Sequence, residues 1–279
     1  MRYIVLIIFS IFILDSCQNT ESTVAPTDYS PFAVSYGRIE NLQKVGNQYK
    51  LLIVESDYYS RRQVDSLNTA DNTLLGYISL GEVNKYRWYY PLLEERGFLG
   101  VNENWDSPFL NLADSKTRSI LVDRVVPNIM AKGFDGLFLD TIDDVAPYSE
   151  RSHLQPHMVD VIAKIRKKYP EAVIVQNAGL FLLDQTQKLI DAVLIEDVAT
   201  NYDFKKQEYQ LRPENEYREK VSTINDYKSQ FGKPFLILDF AKGNSLKSLA
   251  TKRLDTLNIP YSISSIELDS LPGVRPSQQ

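Results

Sequence analysis

Two acidic residues, Asp140 and Glu196, carry the clearest chemical signal in the sequence. Each closes a short apolar run, Gly-Leu-Phe-Leu-Asp140 in one case and Ala-Val-Leu-Ile-Glu196 in the other. A carboxyl group at the rim of an apolar layer is partly desolvated, and its pKa tends to rise unless partners oppose the shift. Two such groups facing each other can protonate a glycosidic oxygen from one side and supply a nucleophile or an activated water from the other.

More acids fall at or just beyond the ends of similar runs: Asp57, Glu82, Asp143, Asp144, Asp197, Asp239 and Glu267. Carboxylates there also suit capping of the helices that follow, and Asp57, Asp143 and Asp144 fit either role. Aromatic residues accompany them, including Tyr36, Tyr58, Tyr59, Tyr77, Trp88, Tyr148 and Tyr202. Their faces can stack on sugar rings while the polar edge stays wet. An acidic, aromatic rim of this kind suits a cationic ligand.

Other chemistries are poorly supplied. His153 and His157 are the only histidines, too few for a typical metallohydrolase, so no metal is expected. There is no Gly-x-Ser-x-Gly elbow for a serine nucleophile. Lys85 and Lys242 lie in loops rather than at strand ends, which disfavours Schiff-base chemistry. No cofactor motif is present, and none is expected to be needed.

The elements that must position these acids are eight short β-rich runs, at 32–36, 51–55, 75–79, 136–140, 173–176, 192–196, 235–239 and 261–266. Helical spacing is expected between them at 38–44, 61–67, 115–132, 157–168, 181–190, 216–231 and 245–257. Repeated β-then-α order with nearly all-apolar strands points to a parallel sheet covered by helices. A doubly wound sheet would want a glycine-rich loop after its first strand, and Tyr36-Gly37-Arg38 lacks one. The expected architecture is therefore a (β/α)₈ barrel, whose chemistry sits at the C-terminal strand ends. Strands four and six are two steps apart, so Asp140 and Glu196 should project from points on the order of 9 Å apart.

The chain has 279 residues, enough for one such barrel over 31–279. Residues 1–16 read as a signal peptide, with one cation and then an apolar stretch too short to span a bilayer. Cys17, the sole cysteine, follows it in a setting that resembles the lipobox of bacterial lipoproteins. This predicts lipidation at Cys17, a flexible tether over 17–30, and an exported protein held to a membrane only by that lipid, in the periplasm or at the cell surface. The formal net charge is −5 with no basic run, which argues against nucleic-acid binding.

The segments Tyr77-Ile-Ser-Leu-Gly-Glu82, Gly133-Phe-Asp-Gly-Leu-Phe-Leu-Asp140-Thr-Ile-Asp143, Gln176-Asn-Ala-Gly179 and Ile195-Glu196 together resemble glycoside hydrolase family 114. That group includes endo-α-1,4-polygalactosaminidases, and the resemblance runs from about residue 32 to 268. It implies that Asp140 and Glu196 are the catalytic acids, with Asp140 as nucleophile and Glu196 as acid/base. It also implies a partly deacetylated, ammonium-bearing galactosaminoglycan as substrate, contacted by Asp57, Glu82, Asp143 and Asn177. Tyr36, Tyr77, Tyr202 and Asp239 are further expected contacts, from their places on the rim. The alternatives are a surface lipoprotein that binds glycan without cutting it and a barrel hydrolase acting on a different glycan.

Overall fold

A computed structural model describes residues 29–40, 45–68 and 71–271. The leader, Cys17 and most of the tether lie outside the described residues, as do positions 41–44 of the helix expected at 38–44.

All eight expected strands form. They are β1 (Phe32–Ser35), β2 (Leu51–Val54), β3 (Thr73–Ser79), β4 (Gly136–Asp140), β5 (Val173–Asn177), β6 (Ala192–Glu196), β7 (Phe235–Phe240) and β8 (Tyr261–Ser264). They pair in parallel in that order. The sheet curls until β1 meets the segment after β8, where the Tyr36 N–H donates to the Leu268 carbonyl at 2.7 Å. The chain is thus a (β/α)₈ barrel that is nearly closed.

Side chains alternate across a strand with a period of two, and here the alternation separates two cores. Val34, Ile53, Leu75, Phe138, Val175, Leu194 and Leu238 fill the barrel interior. Their sequence neighbours Ala33, Leu52, Leu74, Leu137, Ile174, Val193 and Ile237 pack outward beneath the helices. Gly136 is required at the start of β4, because a Cβ there would lie 1.8 Å from the Val173 carbonyl oxygen on β5.

The outer layer is built from α1 (Arg61–Leu67), α2 (Ser115–Ile120), α3 (Gln155–Lys168), α4 (Leu183–Thr186), α5 (Glu214–Phe231) and α6 (Asn244–Leu254). In α3 the buried Met158, Val161, Ile162 and Ile165 recur at three and four residues, as a helix lying on a sheet requires. The single helix expected over 115–132 is instead α2 followed by a π-helical turn, Leu121–Val125, and a short α-helical piece, Val126–Met130. Pro127 has no N–H to give to the ladder, which favours such a break. The helix expected at 181–190 shortens to α4.

Two hairpins rise from the C-terminal ends of the strands. The long β3–β4 connection carries one, Phe98–Asn102 against Ser107–Leu110. The other, Thr200–Asp203 against Glu208–Leu211, follows β6. They meet where Trp105 packs edge-on against Phe204, with ring centroids 5.2 Å apart.

Candidate active site

The alternation that fills the barrel also aims its last residues. Asp140 shares its facing with Phe138, Asn177 with Val175, Glu196 with Leu194, and Tyr77 with Leu75, so all four point inward at the top of the interior core. The amide nitrogen of Asn177, on the strand between the two acids, donates to Oδ1 of Asp140 at 2.7 Å and to Oε1 of Glu196 at 3.1 Å. One nitrogen shared in this way keeps those oxygens within about 6 Å of each other. The Tyr77 hydroxyl donates to the other Asp140 oxygen at 2.9 Å. Asp140 is thereby gripped from both neighbouring strands, and its carboxyl plane is fixed.

The backbone turns sharply after each of these residues. Thr141, Ala178 and Asp197, which directly follow Asp140, Asn177 and Glu196, have φ of 60°, 51° and 56°. Left-handed conformations are unfavourable for residues with a Cβ and persist only where surroundings impose them. Here the surroundings are identifiable at two of the three. Thr141 Oγ1 accepts the Gly81 N–H at 2.7 Å. The buried Gln176 amide donates to the carbonyls of Ala178 and Gly179 at 2.9 and 3.1 Å. Gly179 itself has φ of 64°, and a Cβ there would lie 2.3 Å from Ile142. This accounts for the Gln-Asn-Ala-Gly run: one residue braces the turn, one bridges the acids, and a glycine permits close approach to the β4 end.

These residues border a cleft of about 650 Å³. Eight carboxyl-bearing residues and two cations line it. Crowding and burial push four of these acids upward. Glu196 rises to about 8, first through burial and then through the charge of Asp140. Asp144 rises to about 9 through burial, with Glu82 and Asp143 adding to the effect. Asp197 rises to about 6 through burial, opposed by Lys220. Asp143 is raised by burial and then by Asp140. Burial likewise holds the Tyr36 and Tyr77 phenols well above their ordinary range.

The other expected contacts divide into two groups. Tyr36, Glu82 and Asp143 line the cleft together with Tyr77 and Asn177. The Glu82 carboxylate is already occupied, accepting from Asn102 at 2.7 Å and from the Ser107 hydroxyl, so it ties the first hairpin to the barrel. Asp57 and Tyr202 stand off the cleft wall. Asp57 accepts from Arg87 at 3.1 Å, and it is Glu55, inward-facing beyond β2, that borders the cleft. Tyr202 packs against Phe204 and Tyr209 within the second hairpin.

Asp239 is a correction. β7 continues one residue past the expected end to Phe240, which faces the interior, so Asp239 takes the outward facing of Ile237. It is fully buried and accepts from the Ala199 and Thr200 N–H groups at 2.6 and 3.0 Å and from the Thr200 hydroxyl. Its role is to hold the base of the second hairpin.

Residues that the strand-end reading passed over are Glu55, Arg87 and Lys220. Arg87 forms a two-pronged ion pair with Glu55 and lies 5.4 Å over the Tyr77 ring. Lys220 was legible as a lysine on the apolar stripe of a helix, between buried Tyr217 and Ile224. Among the described residues no group of His, Cys, Asp and Glu side chains is arranged to hold a metal ion.

The profile of Glycoside-hydrolase family GH114 matches residues 14–271. The glycoside hydrolase domain of PelA from Pseudomonas aeruginosa superposes with a TM-score of 0.77 at 22% identity, over 87% of this chain and 97% of that one. Aspergillus fumigatus Ega3, in a complex with galactosamine, gives 0.66 at 14% identity, over 85% and 91%. At these identities the likeness shows the fold. An uncharacterised protein of Methanocaldococcus jannaschii is 25% identical over 244 residues, 78% of this chain and 68% of that protein. One from Deinococcus radiodurans is 26% identical over 212 residues, 71% of this chain and 66% of that protein.

Proposed function

Since this chain belongs to glycoside hydrolase family GH114, we propose that it cuts an α-linked, amino-sugar-containing polysaccharide internally, with Asp140 as nucleophile and Glu196 as acid/base. The observation that carries this reading is the Asn177 amide shared between the two carboxyls. An inverting pair needs roughly 6.5 to 9.5 Å so that water can enter, whereas a retaining pair stands at about 5 to 5.5 Å. The spacing that Asn177 imposes supports the retaining course.

In that course Asp140 attacks the anomeric carbon while Glu196 gives its proton to the departing glycosidic oxygen. The bond to the leaving chain breaks as the ester to Asp140 forms. Glu196, now ionised, then takes a proton from water, whose oxygen displaces Asp140 and frees the reducing end. The environments of the two acids support this division of roles. Glu196, raised to about 8, keeps a proton to give at neutral pH. Asp140 is faced by two donors, which suits a group that must present an oxygen.

Of the eight acids that line the cleft, Glu196 and Asp144 keep protons at neutral pH and Glu55 pairs with Arg87. The remaining five outnumber Lys220, the one unpaired cation among the described residues of the lining, which supports a cationic polymer, and the galactosamine bound to Ega3 is a sugar of that class. The test is reducing-end release from deacetylated galactosaminogalactan by wild type, Asp140→Asn and Glu196→Gln. Wild type is expected to cut and both variants to lose at least about a thousandfold. Equal rates in all three would remove these residues from the chemistry, and tight binding without products in wild type would leave a glycan-binding protein. Export and anchoring through Cys17, supported by the leader's composition, are tested by Cys17→Ser, which should leave the membrane fraction.

A further inference from the structure

The two cations that line the cleft, Arg87 and Lys220, differ in what they are bound to. Arg87 is neutralised by Glu55 and Asp57. Lys220 comes from α5, where Tyr217 and Ile224, three residues before it and four after, are buried on the same face. Its aliphatic stem therefore packs, and the residue lines the cleft together with Glu196 and Asp197, whose charges act on its ammonium. Its neighbour Arg212 is spent on the Asp197 carbonyl, at 2.8 and 3.1 Å, and on Glu216. Among the described residues no side chain or carbonyl takes a hydrogen bond or a close ion pair from Lys220.

An ammonium carries three donors, and at this half-buried position they are left to water rather than to a protein acceptor, so a ligand can take them up. Burial, followed by the charge of Arg212, lowers the pKa of Lys220, while Asp197, Asp239 and Glu196 oppose the shift. The acids nearby favour the charged form without closing on it, so the donors remain available to a ligand.

We propose that Lys220 makes one subsite of this cleft selective for an N-acetylated sugar, its ammonium donating to the acetamido carbonyl oxygen, while the surrounding acidic subsites take free amino sugars. The inference rests on the amino-sugar reading above and narrows it from a class of polymer to a pattern along the polymer. Three functional groups compete for the position. A sugar ammonium would face a like charge. A sugar carboxylate would gain Lys220 but meet the charges of Asp197 and Asp140 across the same opening. An acetamido oxygen is a strong neutral acceptor, and it satisfies the lysine without bringing a charge among the acids.

The experiment uses the full-length protein and two sets of α-1,4-galactosamine oligomers, one fully de-N-acetylated and one about half N-acetylated at random, with products sequenced by tandem mass spectrometry. Wild-type products should be enriched in an N-acetyl group at one fixed position relative to the cut bond. Lys220→Met should erase that enrichment and lower the ratio of cleavage rates, half-acetylated over de-N-acetylated, about tenfold, the worth of one charge-assisted hydrogen bond. Lys220→Arg should keep the enrichment. The ratio is internal to each variant, so a merely structural lysine, whose loss reduces the amount of folded enzyme, would not move it. No enrichment in wild type, or unchanged enrichment in Lys220→Met, would overturn the inference alone. Failure of wild type to cut either set would overturn the amino-sugar reading and the inference with it.

Discussion

The amide nitrogen of Asn177 lies 2.7 Å from Oδ1 of Asp140, and the same atom holds Glu196 at 3.1 Å. A residue that touches both acids sets their separation, and separation decides which groups can reach the anomeric carbon together. Asn177→Ala should therefore lower kcat about a hundredfold while KM changes less than about threefold. Initial-rate kinetics on whichever polymer wild type cuts would check this. A rise in KM at constant kcat would instead make Asn177 a plain substrate contact.

With Glu196 as the proposed acid, the pH dependence of the rate follows from its raised pKa. An acid at about 8 in the free enzyme delivers its proton below that value and fails above it. The kcat/KM profile should therefore carry an alkaline limb near pH 8, well above the ordinary carboxyl range. Because Glu196 and Asp140 interact, the limb belongs to the pair. An alkaline limb near 5 would show that Glu196 is more solvated than the structure places it.

The same shift has a consequence for stability, and its sign is fixed. Glu196 moves from 4.5 to about 8 on folding, so between those values the folded state holds a proton that the unfolded chain has released. Stability from this site is complete below pH 4.5, falls as pH rises through the interval, and levels off above 8. Glu196→Gln cannot ionise and escapes the loss. Thermal melts of both proteins should converge near pH 4.5 and separate towards pH 9, with the variant more stable by a few kcal/mol. Parallel curves would refute the linkage.

Much of this architecture is legible in the sequence because apolar runs of about five residues, separated by helical spacing, admit few other folds. The site was legible to the extent that the ends of those runs were. β4 and β6 end where expected, and Asp140 and Glu196 consequently face inward. β7 runs one residue longer than expected, so its inward-facing end residue is Phe240, and with a period of two Asp239 lies on the opposite side with Ile237. The left-handed turns after Asp140, Asn177 and Glu196 had no local mark, since Thr141, Ala178 and Asp197 stand where glycine would have signalled them. Arg87 reaches the cleft from a long excursion and Lys220 from a helix, so a search confined to strand ends passes over both.

The ion pair of Arg87 with Glu55 is nearly enclosed, with side-chain exposures of 17% and 8%. Removing one partner from such a pair leaves the other charge buried alone, at a cost of about 3 to 5 kcal/mol. Arg87→Met should lose this much in urea denaturation, and Arg87→Met with Glu55→Gln should regain part of it. Arg87 also covers the ring of Tyr77, whose hydroxyl holds Asp140, so the double variant should stay impaired in kcat after its stability recovers. Full recovery of kcat would confine Arg87 to a structural role.

Asp239 offers the sharpest contrast between a structural and a substrate-binding acid. Its carboxylate gathers three backbone N–H groups, those of Ala199, Thr200 and Phe240, and the Thr200 hydroxyl at the base of the second hairpin, at a fully buried position outside the cleft lining. Truncation to alanine strands those donors away from water, and each unsatisfied group costs about 1 to 3 kcal/mol. Asp239→Ala should therefore be destabilised by roughly 3 kcal/mol or more in urea denaturation, with Asp239→Asn intermediate because its amide keeps one acceptor oxygen. At a temperature where Asp239→Asn is folded, its KM for the polymer should equal that of wild type. A raised KM with unchanged stability would return Asp239 to the substrate-binding surface, and the outward facing of this β7 residue would then be wrong.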